Sequence, residues 1–308
     1  MRSTRREALR TAAGLGALAA TAPLARIATA MPTDHHEEPW FKISLAQWSN
    51  HRSLGTDGRD NLDWISTVRE RYEVEAVEFV NKFFKDRVRD WDYLSEMKQR
   101  AADAEVELLL IMIDGEGSLA AADPAARQAA IENHRKWIIA ASFLGCHSIR
   151  VNAAGSGKAS EAQRRAADSL VTLADHGAPY GVSVIVENHG GYSSNGEWLA
   201  GVMKLADHEG VGTLPDFGNF KLGGGAEYDK YRGVEELMPF AKAVSAKSYG
   251  FGPDGGETTI DYLRMLRIVR DSGYRGFVGI EYEGGGHSED EGIALTRDLL
   301  RRVRSELA

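Results

Sequence analysis

Cysteine occurs once in 308 residues, as Cys146, so neither an internal disulfide nor a Cys-based zinc site can form. Proline is scarce at 8 residues and the 33 glycines are scattered, which excludes a fibrous or low-complexity chain. An excess of positive charge is missing as well, the formal net charge being −8. Residues 1–30 carry five arginines and one glutamate, so the remainder holds 32 basic and 44 acidic residues, a net charge of −12. That balance argues against nucleic acid as a partner, because duplex binding needs a cationic footprint. The weakly apolar stretch from Thr11 to Ala25 is too short, and too rich in Ala and Gly, for a membrane span. With 43% hydrophobic and 27% charged residues, the chain has material for a large core in one domain or two.

Residues 1–30 read as an address rather than as part of the fold. Thr4-Arg5-Arg6-Glu7-Ala8-Leu9-Arg10 resembles a twin-arginine export signal, and Ala28-Thr29-Ala30 is a small-residue cleavage site. The resemblance implies the twin-arginine translocation machinery as a partner and a periplasmic or otherwise extracytoplasmic location. That route carries folded cargo, so a metal can be loaded before export. Residues 31–40 are expected to form a solvated arm, and residues 41–308 the folded domain.

From Phe41 onward, short β-rich runs alternate with helical runs eight times. Strands are predicted over residues 41–47, 75–79, 107–113, 148–152, 183–187, 212–216, 243–247 and 277–282. Several are almost continuously apolar, such as Leu108-Leu109-Leu110-Ile111-Met112-Ile113, as parallel strands covered on both faces should be. Gly145, Gly181, Gly210 and Gly276 each stand just before a strand, where the connection often takes a left-handed residue. Eight βα units without a Pro/Ser-rich linker predict an α/β chain folded as a single (β/α)8 TIM barrel. A doubly wound sheet would need a Gly-rich phosphate turn after the first strand, and Gln47-Trp48-Ser49-Asn50 is not one.

In such a barrel the carboxyl ends of the strands converge on one site. Here those positions are Gln47, Glu78, Asp114, Asn152, Glu187, Asp216, Lys247 and Glu281. Four carboxylates from strands two, five, six and eight cannot sit together as bare anions; they hold protons or share a cation. Glu187, Asp216 and Glu281 form the candidate ligand set. Oxygen donors suit Mn²⁺ foremost, with Mg²⁺, Co²⁺ or Zn²⁺ as alternatives. Such an ion polarises a carbonyl while a carboxylate beside it moves a proton between adjacent carbons. One strand-end glutamate is commonly a cap or half of an ion pair; three at equivalent positions point to a site.

Val186-Glu187-Asn188-His189-Gly190-Gly191, Pro215-Asp216-Phe217-Gly218-Asn219, Val244-Ser245-Ala246-Lys247 and Gly279-Ile280-Glu281-Tyr282 resemble the strand ends of the xylose-isomerase-like sugar isomerase/epimerase superfamily. The resemblance implies a divalent metal on Glu187, Asp216 and Glu281, with Glu187 and Glu281 as the proton-transfer pair. It implies a small carbohydrate as substrate. Two positions depart from the pattern. The seventh-strand histidine of the usual His-x-Lys is Ser245, an uncertain fourth ligand, while Lys247 is kept. The usual Asp-x-x-His of strand six ends in Asn219. Either change weakens a metal site, since imidazole is the better ligand.

His189, Asn219, Lys247, Glu78 and Asn152 are the candidate substrate contacts. A structural ion pair between Glu78 and Arg150 is the competing reading for the second and fourth strands. Gly155-Ser156-Gly157-Lys158 is a fragment of a phosphate loop without its full spacing. The functional expectation is an exported isomerase or epimerase for a sugar or polyol. A lyase acting on a keto-sugar or keto-glycoside shares its first step. A sugar-binding barrel that has lost its metal is kept open by Ser245 and Asn219. A DNA-repair endonuclease of the same superfamily would need many more strand-end histidines. The oligomeric state is left open.

Overall fold

The computed structural model describes residues 38–55, 60–153 and 155–308. The segment that resembles an export signal and most of the expected arm lie outside these residues, and residues 39–308 form one compact unit. Among the described residues no helix is long and apolar enough to cross a membrane.

Eight parallel strands make the sheet: β1 (Lys42–Ala46), β2 (Ala76–Val80), β3 (Glu107–Met112), β4 (Ser148–Asn152), β5 (Ser183–Glu187), β6 (Val211–Leu214), β7 (Val244–Ser248) and β8 (Phe277–Tyr282). From β1 to β6 each strand pairs with its sequence neighbours, β7 pairs with β8, and β8 pairs with β1. The last seam, β6 to β7, has no continuous ladder. It is closed by the bridges Thr213–Ala241 and Asp216–Ser245, because Pro215 has no N–H to donate and ends β6. Asp216 therefore stands beyond the strand predicted to contain it, yet remains bonded to β7 through Ser245.

Seven of the helices start where the sequence supplies a cap. Asp60, Asp90, Asp123, Asn195, Asp229, Asp261 and Ser288 each accept a backbone N–H of the following first turn, satisfying donors that would otherwise be unpaired. Gly145 and Gly181 are left-handed, at φ 88° and 68°. Gly210 and Gly276 are not, contrary to expectation. Both are places of close approach instead: a Cβ on Gly276 would lie 2.5 Å from the Tyr274 hydroxyl.

Alternation along each strand then sorts the side chains. Val77, Phe79, Ile149, Val151, Val184, Val186, Val244, Ala246, Val278 and Ile280 join the large core between sheet and helices. Ala46, Val80, Leu110, Met112, Ile185 and Leu214 form a separate apolar cluster inside the barrel. Cys146 belongs to the outer core, and burial pushes its thiol up to about 12, so it is inert.

Candidate active site

The same alternation that turns Ile149 and Val151 outward turns Arg150 and Asn152 inward, and on β5, β7 and β8 it turns Glu187, Ser245, Lys247 and Glu281 inward. All but Asn152 are buried, Glu187 and Ser245 completely. Asp216 joins them from the β6 exit, likewise fully buried. Its position is set by Asn188, whose side chain accepts the Asp216 N–H at 2.7 Å and donates to its carbonyl at 2.9 Å.

Each carboxylate has defined partners. Glu187 receives the Asn219 amide at 2.7 Å and has the Arg150 Nε at 2.8 Å, although that N–H is not aimed well enough to bond, and both atoms lack a hydrogen-bond partner. Asp216 Oδ1 accepts the backbone N–H groups of Gly218 and Asn219, both at 2.8 Å. Glu281 Oε1 accepts from Lys247 Nζ at 2.7 Å. The Ser245 hydroxyl stands 2.8 Å from Asp216 Oδ2 and 2.7 Å from Glu281 Oε2. A hydroxyl has one hydrogen to give, so the second contact needs a proton on a carboxylate.

The electrostatics agree. Burial lifts the Asp216 carboxyl well above the usual range; Lys247 opposes this, while Glu281 and Glu187 reinforce it. Burial acts on Glu281 in the same direction, but Lys247, Ser245 and Arg150 outweigh it and hold Glu281 below the usual range. Lys247 is raised well above an ordinary lysine, burial being overcome by Asp216, Glu281, Glu187 and Glu283. The cluster thus keeps Glu281 ionised and presses a proton onto Asp216, the behaviour of a site with more negative charge than its cations neutralise.

One oxygen each of Glu187, Asp216 and Glu281 lie within 4.8 Å of one another. Oxygens around one small divalent ion, each about 2.1 Å from it, stand roughly 3 to 4 Å apart. The donor set and its surplus of negative charge therefore fit a divalent cation, with Ser245 as an uncharged neighbour of two ligands.

The remaining candidates are spread more widely. Asn152 donates to Asp114 at 2.7 Å, and Arg150 bonds the same oxygen at 3.0 Å. The Glu78–Arg150 pair is not formed: Arg150 pairs with Asp114 and Glu187, and Glu78, fully buried, accepts from Ser44 at 2.6 Å. The second Glu78 oxygen has no hydrogen-bond partner among the described residues. His189 is exposed, its backbone N–H donating to Ser193. Gln47 is not a strand end but opens a 3-10 turn, its side-chain amide oxygen accepting the Val80 N–H at 2.9 Å. The phosphate-loop fragment leads into the helix Ala159–Gly177, which starts without a side-chain cap.

Two contributors escaped the sequence reading. Asn188 was passed over as a neighbour of Glu187. Glu283, 3.4 Å from Lys247 and bonded to the Trp48 indole, lies two residues past Glu281, and counting the alternation on would have found it.

The sequence pattern of the xylose isomerase-like TIM barrel family matches residues 69–304. The chain belongs to that family. A 75-residue stretch is 32% identical to the 3'-dehydrocarminate deglycosidase alpha subunit of a Microbacterium species, covering 23% of this chain and 22% of that relative's length. Among solved structures, the 3-keto-D-glucoside 4-epimerase of E. coli superposes with a TM-score of 0.66 at 13% identity, over 85% of this chain and 98% of that one. A xylose isomerase-like TIM barrel protein from Mycobacterium smegmatis, solved in complex with magnesium, superposes with a TM-score of 0.63 at 18% identity, over 80% of this chain and 89% of that one. Identities this low establish the shared barrel.

Proposed function

We propose that the chain is an exported isomerase or epimerase for a sugar or polyol, moving a proton on the carbon next to a carbonyl. A divalent cation, Mn²⁺ first, would be held by Glu187, Asp216 and Glu281. The observation that carries this reading is the meeting of one oxygen from each of these three buried carboxylates within 4.8 Å. Bound there, the ion would polarise the substrate carbonyl and fix a neighbouring oxygen.

The chain's own groups supply the proton transfer. Glu281 stays ionised because Lys247 and Ser245 bond it, so it accepts a proton from a carbon acid. Glu187, oriented by the Asn219 amide and the Arg150 guanidinium, is the second member of the pair. Lys247 keeps its charge and offsets negative charge developing on the substrate. Asn152 and His189, further out, would contact hydroxyls.

Return of the proton to the opposite face gives an epimer, and return to the neighbouring carbon an isomer. Loss of a substituent from the adjacent carbon gives elimination. The 75-residue likeness to a deglycosidase subunit favours elimination from a keto-glycoside as the second reading. Incubating the manganese-loaded chain with keto-sugars and keto-glycosides in deuterium oxide tests both. Deuterium should enter next to the carbonyl, and an aglycone released alongside it would identify elimination. A fully metallated chain that exchanges no proton in any keto-sugar would overturn the proposal.

A further inference from the structure

A cavity of about 320 Å³ opens beside Gly218, with Phe220 and Tyr249 in its wall and Lys221, Lys230 and Glu227 at its edge. Its volume is within the usual range of small-molecule pockets. It adjoins the carboxylate cluster on two sides. Gly218 is two residues past Asp216, and Tyr249 directly follows β7, the strand carrying Lys247. A Cβ on Gly218 would lie 2.6 Å from the Tyr249 hydroxyl, so glycine at this position is what lets the phenol reach the site.

The lining has a definite chemistry. Phe220, stacked on Tyr228 with centroids 6.4 Å apart and only 2% exposed, backs the cavity, and the partly exposed Tyr249 ring gives it an apolar wall. The Tyr249 hydroxyl has no hydrogen-bond partner among the described residues. Lys230 gives one N–H to the Thr259 carbonyl at 3.0 Å. Among the described residues neither Lys221 nor Lys230 has a carboxylate within 4 Å. Glu227, opposite Lys221 in the two-stranded antiparallel hairpin of Lys221–Gly223 and Ala226–Glu227, does not close a pair with it.

We propose that this cavity is a second subsite, which takes a planar aromatic substituent with an acidic group on the substrate's non-reacting side. The proposal rests on the sugar-carbonyl reading of the adjoining centre. The ring would lie against Tyr249, the phenol donating to the bridging oxygen, and the acid would meet the Lys221 and Lys230 amines, which have no carboxylate of their own among the described residues. A monosaccharide alone would leave the cavity to water.

The test is calorimetric titration of the full chain with 4-carboxyphenyl glucoside and with methyl glucoside, in wild type, Tyr249→Ala and Lys221→Ala/Lys230→Ala. The aryl glucoside should bind at least tenfold more tightly, and each variant should reduce that preference about fivefold or more. The double lysine variant changes only partly or fully exposed side chains, so it reads out even if Tyr249→Ala fails to fold. Equal affinity for the two glucosides in wild type, or a preference that survives the lysine changes, would overturn the subsite. An aryl preference in a chain that exchanges no proton in the keto form of either glucoside would support the subsite while sinking the reaction assigned to its neighbour.

Discussion

The two faces of the sheet obey one alternation and carry opposite chemistry. Outward residues such as Ile149, Val184 and Ile280 are interchangeable in kind, each packing against helices with no partner of defined direction. Inward residues divide into an apolar wall, with Val80, Leu110 and Met112, and a charged wall of Arg150, Glu187, Asp216, Lys247 and Glu281, where every group depends on named partners. Burial drives the outer face without regard to geometry. On the inner face it is a cost that charge pairing or a cation has to offset.

Four changes sharpen that contrast. Glu281→Gln keeps shape and removes the base, so turnover should fall about a thousandfold or more with the thermal midpoint little changed; undiminished activity would remove Glu281 from the mechanism. Lys247→Met strands two buried carboxylates, and urea unfolding of the chelated protein should show a loss of about 3–5 kcal/mol. Saturating Mn²⁺ should recover part of that loss, which no purely structural ion pair would do. Ile149→Ala on the outer face should cost about 2–4 kcal/mol and leave kcat within a few-fold, because only packing is lost.

The fourth and smallest effect is a pH dependence. Burial pushes the Glu78 carboxyl up to about 7 from an ordinary 4.5. The folded chain then keeps a proton on Glu78 that the unfolded chain releases, so this carboxyl's contribution to stability is fully present below pH 4.5 and is lost as pH rises through 7. At about 1.4 kcal/mol per pH unit the fall is at most about 3.5 kcal/mol. In chelated protein Glu78→Gln should lack it, and parallel urea midpoints of the two proteins from pH 5 to 8 would contradict it.

What was legible in the sequence follows the same division. The outer face reads directly: β4, β5 and β8 have the predicted bounds, because β-rich runs and Gly exits depend on local chemistry. The inner face reads only as a set of positions. Counting strand ends finds Glu187, Asp216, Lys247 and Glu281, but not that Asn188 fixes the Asp216 backbone or that Arg150 chooses Asp114 and Glu187 over Glu78. Those choices depend on the stagger between strands, which no single strand encodes. The misplaced β6 boundary has a local cause, Pro215, whose missing N–H was on the page.

The central claim is that the inner charged wall is built around a divalent cation. Plasma mass spectrometry of the purified chain and of Asp216→Ala, each after manganese reconstitution and desalting, tests it most directly. About one equivalent of metal in the wild type, lost from the variant, is the predicted result. Less than a tenth of an equivalent in both would mean that Lys247 and Ser245, with Arg150 and Asn219 on Glu187, hold the three carboxylates without a cation.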